Sequence, residues 1–305
     1  MKIVLSTDSK YVEYCAVTLM SIVSNNDSCD FYILTDNLED EDINLLQRVV
    51  NYNKSTLHII HVPESLFANF PMPDNVATQH ISLATYYRLF LPILMPTEVE
   101  RLLYLDCDII VRSNLTELWN TNIENKALAA VCQMDDRDEY DIKRLGYETS
   151  YGYFNAGVLL INLDYWRKHD SYNCFLKFIE KNRNIIEYHD QDVLNAVFYD
   201  SKLMLSCKWN MMTSFFKKYI LKEKSSVFEH HNIYREIIKK EVSDPAIVHF
   251  VSRPKAWEPS CKHPFKKDYL FYHKKVYVDS KPSIYVLLLM FAVELLRKLK
   301  LSPYL

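Results

Sequence analysis

The sequence predicts an α/β protein with a mostly parallel central sheet flanked by helices. Two observations carry that prediction. Short β-rich apolar runs alternate with segments of helical periodicity from the first residue onward, and acidic residues follow the ends of the strands, where ligands of such sheets bind. A third narrows the function. The 305 residues include only three glycines, Gly146, Gly152 and Gly157. A P-loop and a dinucleotide-binding fingerprint each need several glycines in one tight turn, so both are excluded. A bound diphosphate must then be met by a metal ion or by Lys and Arg side chains.

The elements follow in order. Lys2 to Thr7 reads as a buried strand leading into Asp8. Val12, Ala16, Leu19 and Val23 recur at helical spacing, and Ser24 to Asp27 ends that helix. Phe31 to Leu34 is a second strand leading to Asp36, Leu38 to Val50 a second helix, and Leu57 to Val62 a third strand. Ser82 to Leu91 reads as a helix capped by Ser82 and stopped before Pro92. Leu102 to Leu105 is a strand that runs into Asp106-Cys107-Asp108 and then Ile109 to Val111. Ala127 to Val131 and Ala156 to Ile161 are further strands, with the polar stretch Asp135 to Tyr151 between them expected to be a loop. Leu163 to Lys181, Asp192 to Phe198 and Pro264 to Lys275 read as helices, and Ala246 to Val251 as a late strand.

Bulk properties bound the partners. The net charge of -3 offers no general field for nucleic acid. The seven cysteines are scattered, without a CxxC pair, and read as reduced thiols of a cytoplasmic protein. Met1 to Leu5 is unlike a signal peptide. The longest apolar run, Ile284 to Val293, falls short of the roughly 20 residues that span a bilayer. With the basic segment ending at Leu301 it suits a helix lying in a membrane interface, or one packed on the domain or a partner chain. We expect residues 1–262 to form the catalytic domain and 263–305 a C-terminal helical tail, possible peripheral contact being at the inner face of the cell membrane.

Asp106-Cys107-Asp108 is the strongest chemical signal. In an extended strand, residues i and i+2 point the same way, about 7 Å apart at the backbone. Two such carboxylates suit one hard divalent cation, Mg²⁺ or Mn²⁺. A three-residue motif is also common as a plain pair of surface aspartates, so the apolar strand on either side carries the weight.

The motifs then resemble those of glycosyltransferase family 8, in particular its bacterial lipooligosaccharide galactosyltransferases. The matching segments are Ser6 to Tyr11, His80 to Leu89, Leu103 to Val111, Tyr153 to Asn162, His189 to Asn195 and His249 to Trp257, in the family's order. The resemblance implies a GT-A fold, Rossmann-like, and transfer of galactose or glucose from a UDP-sugar with retained anomeric configuration. The acceptor is expected to be a cell-surface glycan, a lipid-linked glycan or a glycoprotein. It implies Asp106, Asp108 and His249 as ligands of Mn²⁺ (or Mg²⁺), and Lys255 as the diphosphate clamp. Donor contacts map to Asp8, Tyr11, Arg88, Asp106, Cys107, Asp108, Asn155, Asp190, Gln191, Ser252 and Lys255. Gln191 and Asp190 map to the catalytic positions and His80 to the loop that lines donor and acceptor. Three positions depart from the family pattern: Lys10 replaces an asparagine, Ser252 a glycine and Ala256 a proline. A self-glucosylating, glycogenin-like protein and a non-catalytic UDP-sugar-binding protein are the alternatives. A nucleotidyltransferase would need the missing glycine-rich loop.

Overall fold

The computed structural model describes residues 1–67, 70–71, 83–134, 137–219 and 238–277. His80, Ser82 and the apolar C-terminal run lie outside the described residues. Among the described residues there are ten strands: β1 (Lys2–Ser6), β2 (Asp30–Thr35), β3 (Thr56–His61), β4 (Arg101–Leu105), β5 (Ile109–Val111), β6 (Leu128–Cys132), β7 (Phe154–Asn162), β8 (Lys202–Met204), β9 (Met211–Met212) and β10 (Ile247–His249). Seven form one sheet in the order β3-β2-β1-β4-β7-β6-β8, and three form a smaller sheet in the order β5-β10-β9. The pairs β1–β2, β2–β3, β1–β4 and β6–β8 are parallel, while β7 runs antiparallel to both β4 and β6. The predicted α/β class is the observed one.

Both faces of the large sheet are covered, which is why β1, β4 and β7 are apolar almost throughout. Helix Val12–Asn25 packs on one face together with helix Asp40–Val50 and the C-terminal helix Lys266–Tyr277. Its Asn25 amide donates to the Tyr272 hydroxyl, so the C-terminal helix is locked onto the first one. The opposite face is covered by segment Leu83–Phe90 and helices Ser171–Asn182 and His189–Val197, around Trp166, Phe175 and Phe198. Each such large side chain contributes roughly 1.5–3 kcal/mol when fully buried.

Four local expectations are corrected. Leu83–Phe90 is a 3₁₀ segment that runs on into helix Leu91–Leu94, and Pro92 sits in that helix's first turn, where its missing N–H costs nothing. Asp135 to Tyr151 contains a helix, Asp138–Leu145, whose many charges hide its single apolar stripe of Ile142 and Leu145. The long helix expected after Leu163 is two helices, Leu163–Lys168 and Ser171–Asn182, broken where Asp170 takes a left-handed conformation (φ 51°). Residues 106–108 are a turn between β4 and β5 rather than extended strand.

Candidate active site

The turn at Asp106-Cys107-Asp108 is where the chain leaves the large sheet and enters the small one. Both ends of it are pinned. Asp106 N donates to Gly157 O at 2.9 Å, extending the β4–β7 ladder, and Phe250 N donates to Asp108 O at 3.0 Å, extending β5–β10. From below, the Thr18 hydroxyl lies within hydrogen-bond reach of the Cys107 and Ile109 carbonyls, at 2.8 and 2.9 Å. The antiparallel register of β10 with β5 sets His249 opposite Ile109, beside the turn. A distant segment thus supplies an imidazole to the carboxylate pair.

His249 Nε2 lies 3.0 Å from Asp108 Oδ1 and 3.8 Å from Asp106 Oδ2. One ligand atom from each of the three residues falls within 4.8 Å of the others. Two hard oxygens and one imidazole nitrogen fit Mn²⁺ or Mg²⁺. The cradle requires Gly157: a Cβ there would sit 2.2 Å from His249 Cε1 and 2.8 Å from Asp106 Oδ2. The outer oxygens are engaged by cations, Asp106 Oδ1 by Arg88 Nη2 at 2.9 Å and Asp108 Oδ2 by Lys255 Nζ at 2.5 Å. Burial opposes ionisation of Asp108, but Lys255 and His249 outweigh it and hold the carboxyl well below the ordinary range. Lys255 is itself buried and also donates to the Phe250 and Val251 carbonyls.

These residues open onto a cleft of about 250 Å³ at the carboxyl ends of β1 and β4. Asp8, Tyr11, Arg88, Asp106, Cys107, Asp108, Asn155, His249 and Lys255 all line it. Asp8 Oδ1 accepts from the Lys10 and Tyr11 amides, fixing the turn that starts the first helix. Tyr11 meets Trp257 edge-on, and burial together with Asp108 pushes its hydroxyl up to about 12. The Cys107 thiol, held well above its ordinary range by hydrogen bonding with Cys15 and by burial, turns to the Ser6 carbonyl at 3.2 Å. It is a neutral packing group here. Asp36 does not line the cleft, and Ser252 is exposed outside it.

Arg88 links this region to Asp190. Its guanidinium stacks 4.2 Å over the Tyr104 ring, donates to the Ala156 carbonyl and pairs with Asp190 Oδ2 at 2.8 Å. Burial would lower the Arg88 pKa, but Asp106 and Asp190 more than compensate and keep it charged. Asp190 also accepts from the Thr85 hydroxyl; burial nevertheless pushes its carboxyl up to about 6. Asp190 is the second residue of helix His189–Val197, whose N-cap is Tyr188 and which opens on His189 at φ 49°. Gln191 Oε1 accepts from Ala156 N at 2.9 Å and Asn155 Nδ2 at 3.1 Å, while its Nε2 donates to Gln133 and Tyr153.

Thr85, Tyr104 and Val251 line the cleft without having been singled out from the sequence, and Asn210 touches His249 from behind. Thr85, Tyr104 and Val251 fall inside matching segments, whereas Asn210 lies outside all of them and is identified by its proximity in the fold alone.

A GT-A sheet with a carboxylate–imidazole cluster at its carboxyl edge defines a glycosyltransferase. Residues 2–261 match the family model described as "Glycosyl transferase family 8", and the chain belongs to that family. A Haemophilus influenzae protein described as a glycosyltransferase is 33% identical over 272 residues, 86% of this chain and 74% of that protein. The lipopolysaccharide 1,2-glucosyltransferase of Escherichia coli K12 is 26% identical, with 92% and 78% covered. Among solved structures, the galactosyltransferase LgtC, in complex with donor and acceptor sugar analogues, superposes with a TM-score of 0.80 at 26% identity, over 93% of this chain and 98% of LgtC. A second LgtC structure carries a glutamine-to-glutamate change at its active site.

Proposed function

We propose that this glycosyltransferase moves galactose or glucose from a UDP-sugar onto a cell-surface glycan with retained anomeric configuration. The observation that carries the reading is the convergence of Asp106 Oδ2, Asp108 Oδ1 and His249 Nε2 on one point at the carboxyl edge of the sheet. The likeness to the lipopolysaccharide glucosyltransferase and to LgtC supports the hexose donor and the glycan acceptor.

When bound at this point, Mn²⁺ or Mg²⁺ supplies Lewis-acid stabilisation of the departing diphosphate. The other tasks fall to side chains. Lys255 lines the cleft beside Asp108 and is the second positive group that would meet the diphosphate. Asp8 and Tyr11 hold the nucleoside. Arg88 and Asp190 form a buried ion pair that orients the wall of the sugar pocket.

Retention does not require a covalent intermediate here. The Gln191 amide oxygen accepts from two N–H donors, which makes it a poor nucleophile toward the anomeric carbon. Asp190 is equally engaged, by Arg88 and Thr85. The acceptor hydroxyl therefore attacks from the face the phosphate leaves. The C1–O bond to phosphate breaks, the acceptor O–C1 bond forms, and the hydroxyl proton passes to the departing phosphate oxygen. LgtC likewise has a glutamine at its active site, which fits a role for Gln191 in this one.

A donor screen tests the reading. Hydrolysis and transfer are measured for a panel of UDP-sugars with Mn²⁺, then with chelator. Turnover of UDP-galactose or UDP-glucose that stops with chelator is expected; indifference to chelator defeats the reading.

A further inference from the structure

Asn210 is fully buried behind the carboxylate–imidazole cluster, between turn Cys207–Trp209 and β9. One end of its amide lies 2.9 Å from His249 Nδ1 and the other lies 2.9 Å from Asn155 Oδ1. Which end is oxygen follows from the neighbours. Gly157 N donates to Asn155 Oδ1 at 3.0 Å and Ala156 N to Gln191 Oε1 at 2.9 Å. A backbone N–H only donates, so the Asn155 oxygen faces Gly157 and its Nδ2 faces the Gln191 oxygen. Asn210 must then offer Nδ2 to Asn155 Oδ1, and Oδ1 to His249. A carbonyl oxygen only accepts, so Nδ1 of His249 carries a proton. Nε2, the nitrogen aimed at Asp106 and Asp108, is then the one that can present its lone pair to a metal.

We infer that Asn210 is the positioning residue that fixes the His249 tautomer for metal binding, and that through Asn155 it ties His249 to Gln191. This inference rests on the metal site of the proposed function. The four side chains form one chain of hydrogen bonds, His249–Asn210–Asn155–Gln191, anchored by two backbone amides of β7. The imidazole that would hold the metal and the amide beside the sugar are therefore set by the same strand.

The test compares Asn210→Leu, which removes the acceptor, with Asn210→Asp, which keeps an acceptor toward Nδ1 but loses the donor to Asn155. The readout is Mn²⁺ affinity in the presence of UDP, measured by electron paramagnetic resonance of the free ion. Asn210→Leu is expected to weaken Mn²⁺ about 10–100-fold, the usual effect of losing such a support. Asn210→Asp is expected to stay within about threefold of wild type while turnover falls, because only its link to Asn155 and Gln191 is lost. Equal loss in both variants, or none in Asn210→Leu, overturns the inference. Nitrogen-15 NMR of histidine-labelled wild-type protein, metal-free and with Mg²⁺ and UDP, reads the tautomer even if Asn210→Leu does not fold. A proton on Nδ1 is expected in both states; its absence overturns the inference. Wild-type protein that takes up no Mn²⁺ with UDP would sink the proposed metal site, and the metal-free spectrum would still decide the tautomer.

Discussion

Lys255 Nζ sits 2.5 Å from Asp108 Oδ2, on the opposite side of the carboxylate from the oxygen that faces His249. One aspartate therefore joins two cationic positions, the imidazole side where a metal fits and the ammonium that would meet a diphosphate. Lys255→Met leaves the half-buried Asp108 without its neutralising partner and the leaving group without its second positive contact. Transfer should fall about 100-fold, or ~3 kcal/mol, typical of losing one charge-stabilising donor. Steady-state kinetics with Mn²⁺ and donor check this, alongside a melting curve to separate loss of fold.

Gly157 is the one glycine whose missing side chain the site requires. Gly157→Ala pushes a methyl group into His249 Cε1 and Asp106 Oδ2 at distances no real contact tolerates. The imidazole or the carboxylate must move, and a shift of about 1 Å costs on the order of 100-fold in rate. Turnover and Mn²⁺ affinity should fall together in this variant.

The engagement of the Gln191 oxygen predicts the behaviour of Gln191→Ala. A lost nucleophile costs on the order of 10⁶-fold, as the subtilisin example shows. Front-face attack instead leaves turnover within about 10³-fold of wild type, since only an oriented dipole is lost. Intact mass spectrometry of wild-type enzyme during turnover should find no sugar attached to the chain. A glycosylated peptide containing Gln191 or Asp190 would overturn the front-face account.

Lys202 gives a pH-dependent prediction away from the cleft. Burial lowers its ammonium pKa to about 8, although its Nζ donates to the Gly152 carbonyl and lies over the Tyr147 and Phe154 rings. A depressed lysine pKa means the folded chain binds fewer protons than the unfolded chain between about pH 8 and 10.5. Stability from this group therefore rises with pH across that window, by about 3 kcal/mol. Denaturant titrations at pH 7.5 and 9.5 should show Lys202→Met with a smaller gain than wild type. An identical gain in both proteins contradicts the assignment.

How much was legible in advance differs by residue. The alternation from β1 to β3 was readable because apolar runs and helical spacing are local properties. Asp106 and Asp108 were readable as a pair, yet their convergence comes from a turn between two sheets, a feature that no strand period encodes. His249 and Lys255 became candidates through their motif, and β10 brings them to the turn from more than a hundred residues away. Asn210 stayed hidden because its partner Asn155 is 55 positions distant and neither neighbour of Asn210 is unusual. The helix Asp138–Leu145 was missed because its two buried apolar side chains are outnumbered by charges.

The most direct measurement of the central claim is the anomalous scattering from a crystal grown with Mn²⁺ and UDP. The account predicts a single strong peak within coordination distance of Asp106 Oδ2, Asp108 Oδ1 and His249 Nε2, lost in Asp108→Asn. Mn²⁺ seated elsewhere, or UDP bound in the cleft with no metal between it and these three atoms, would contradict it.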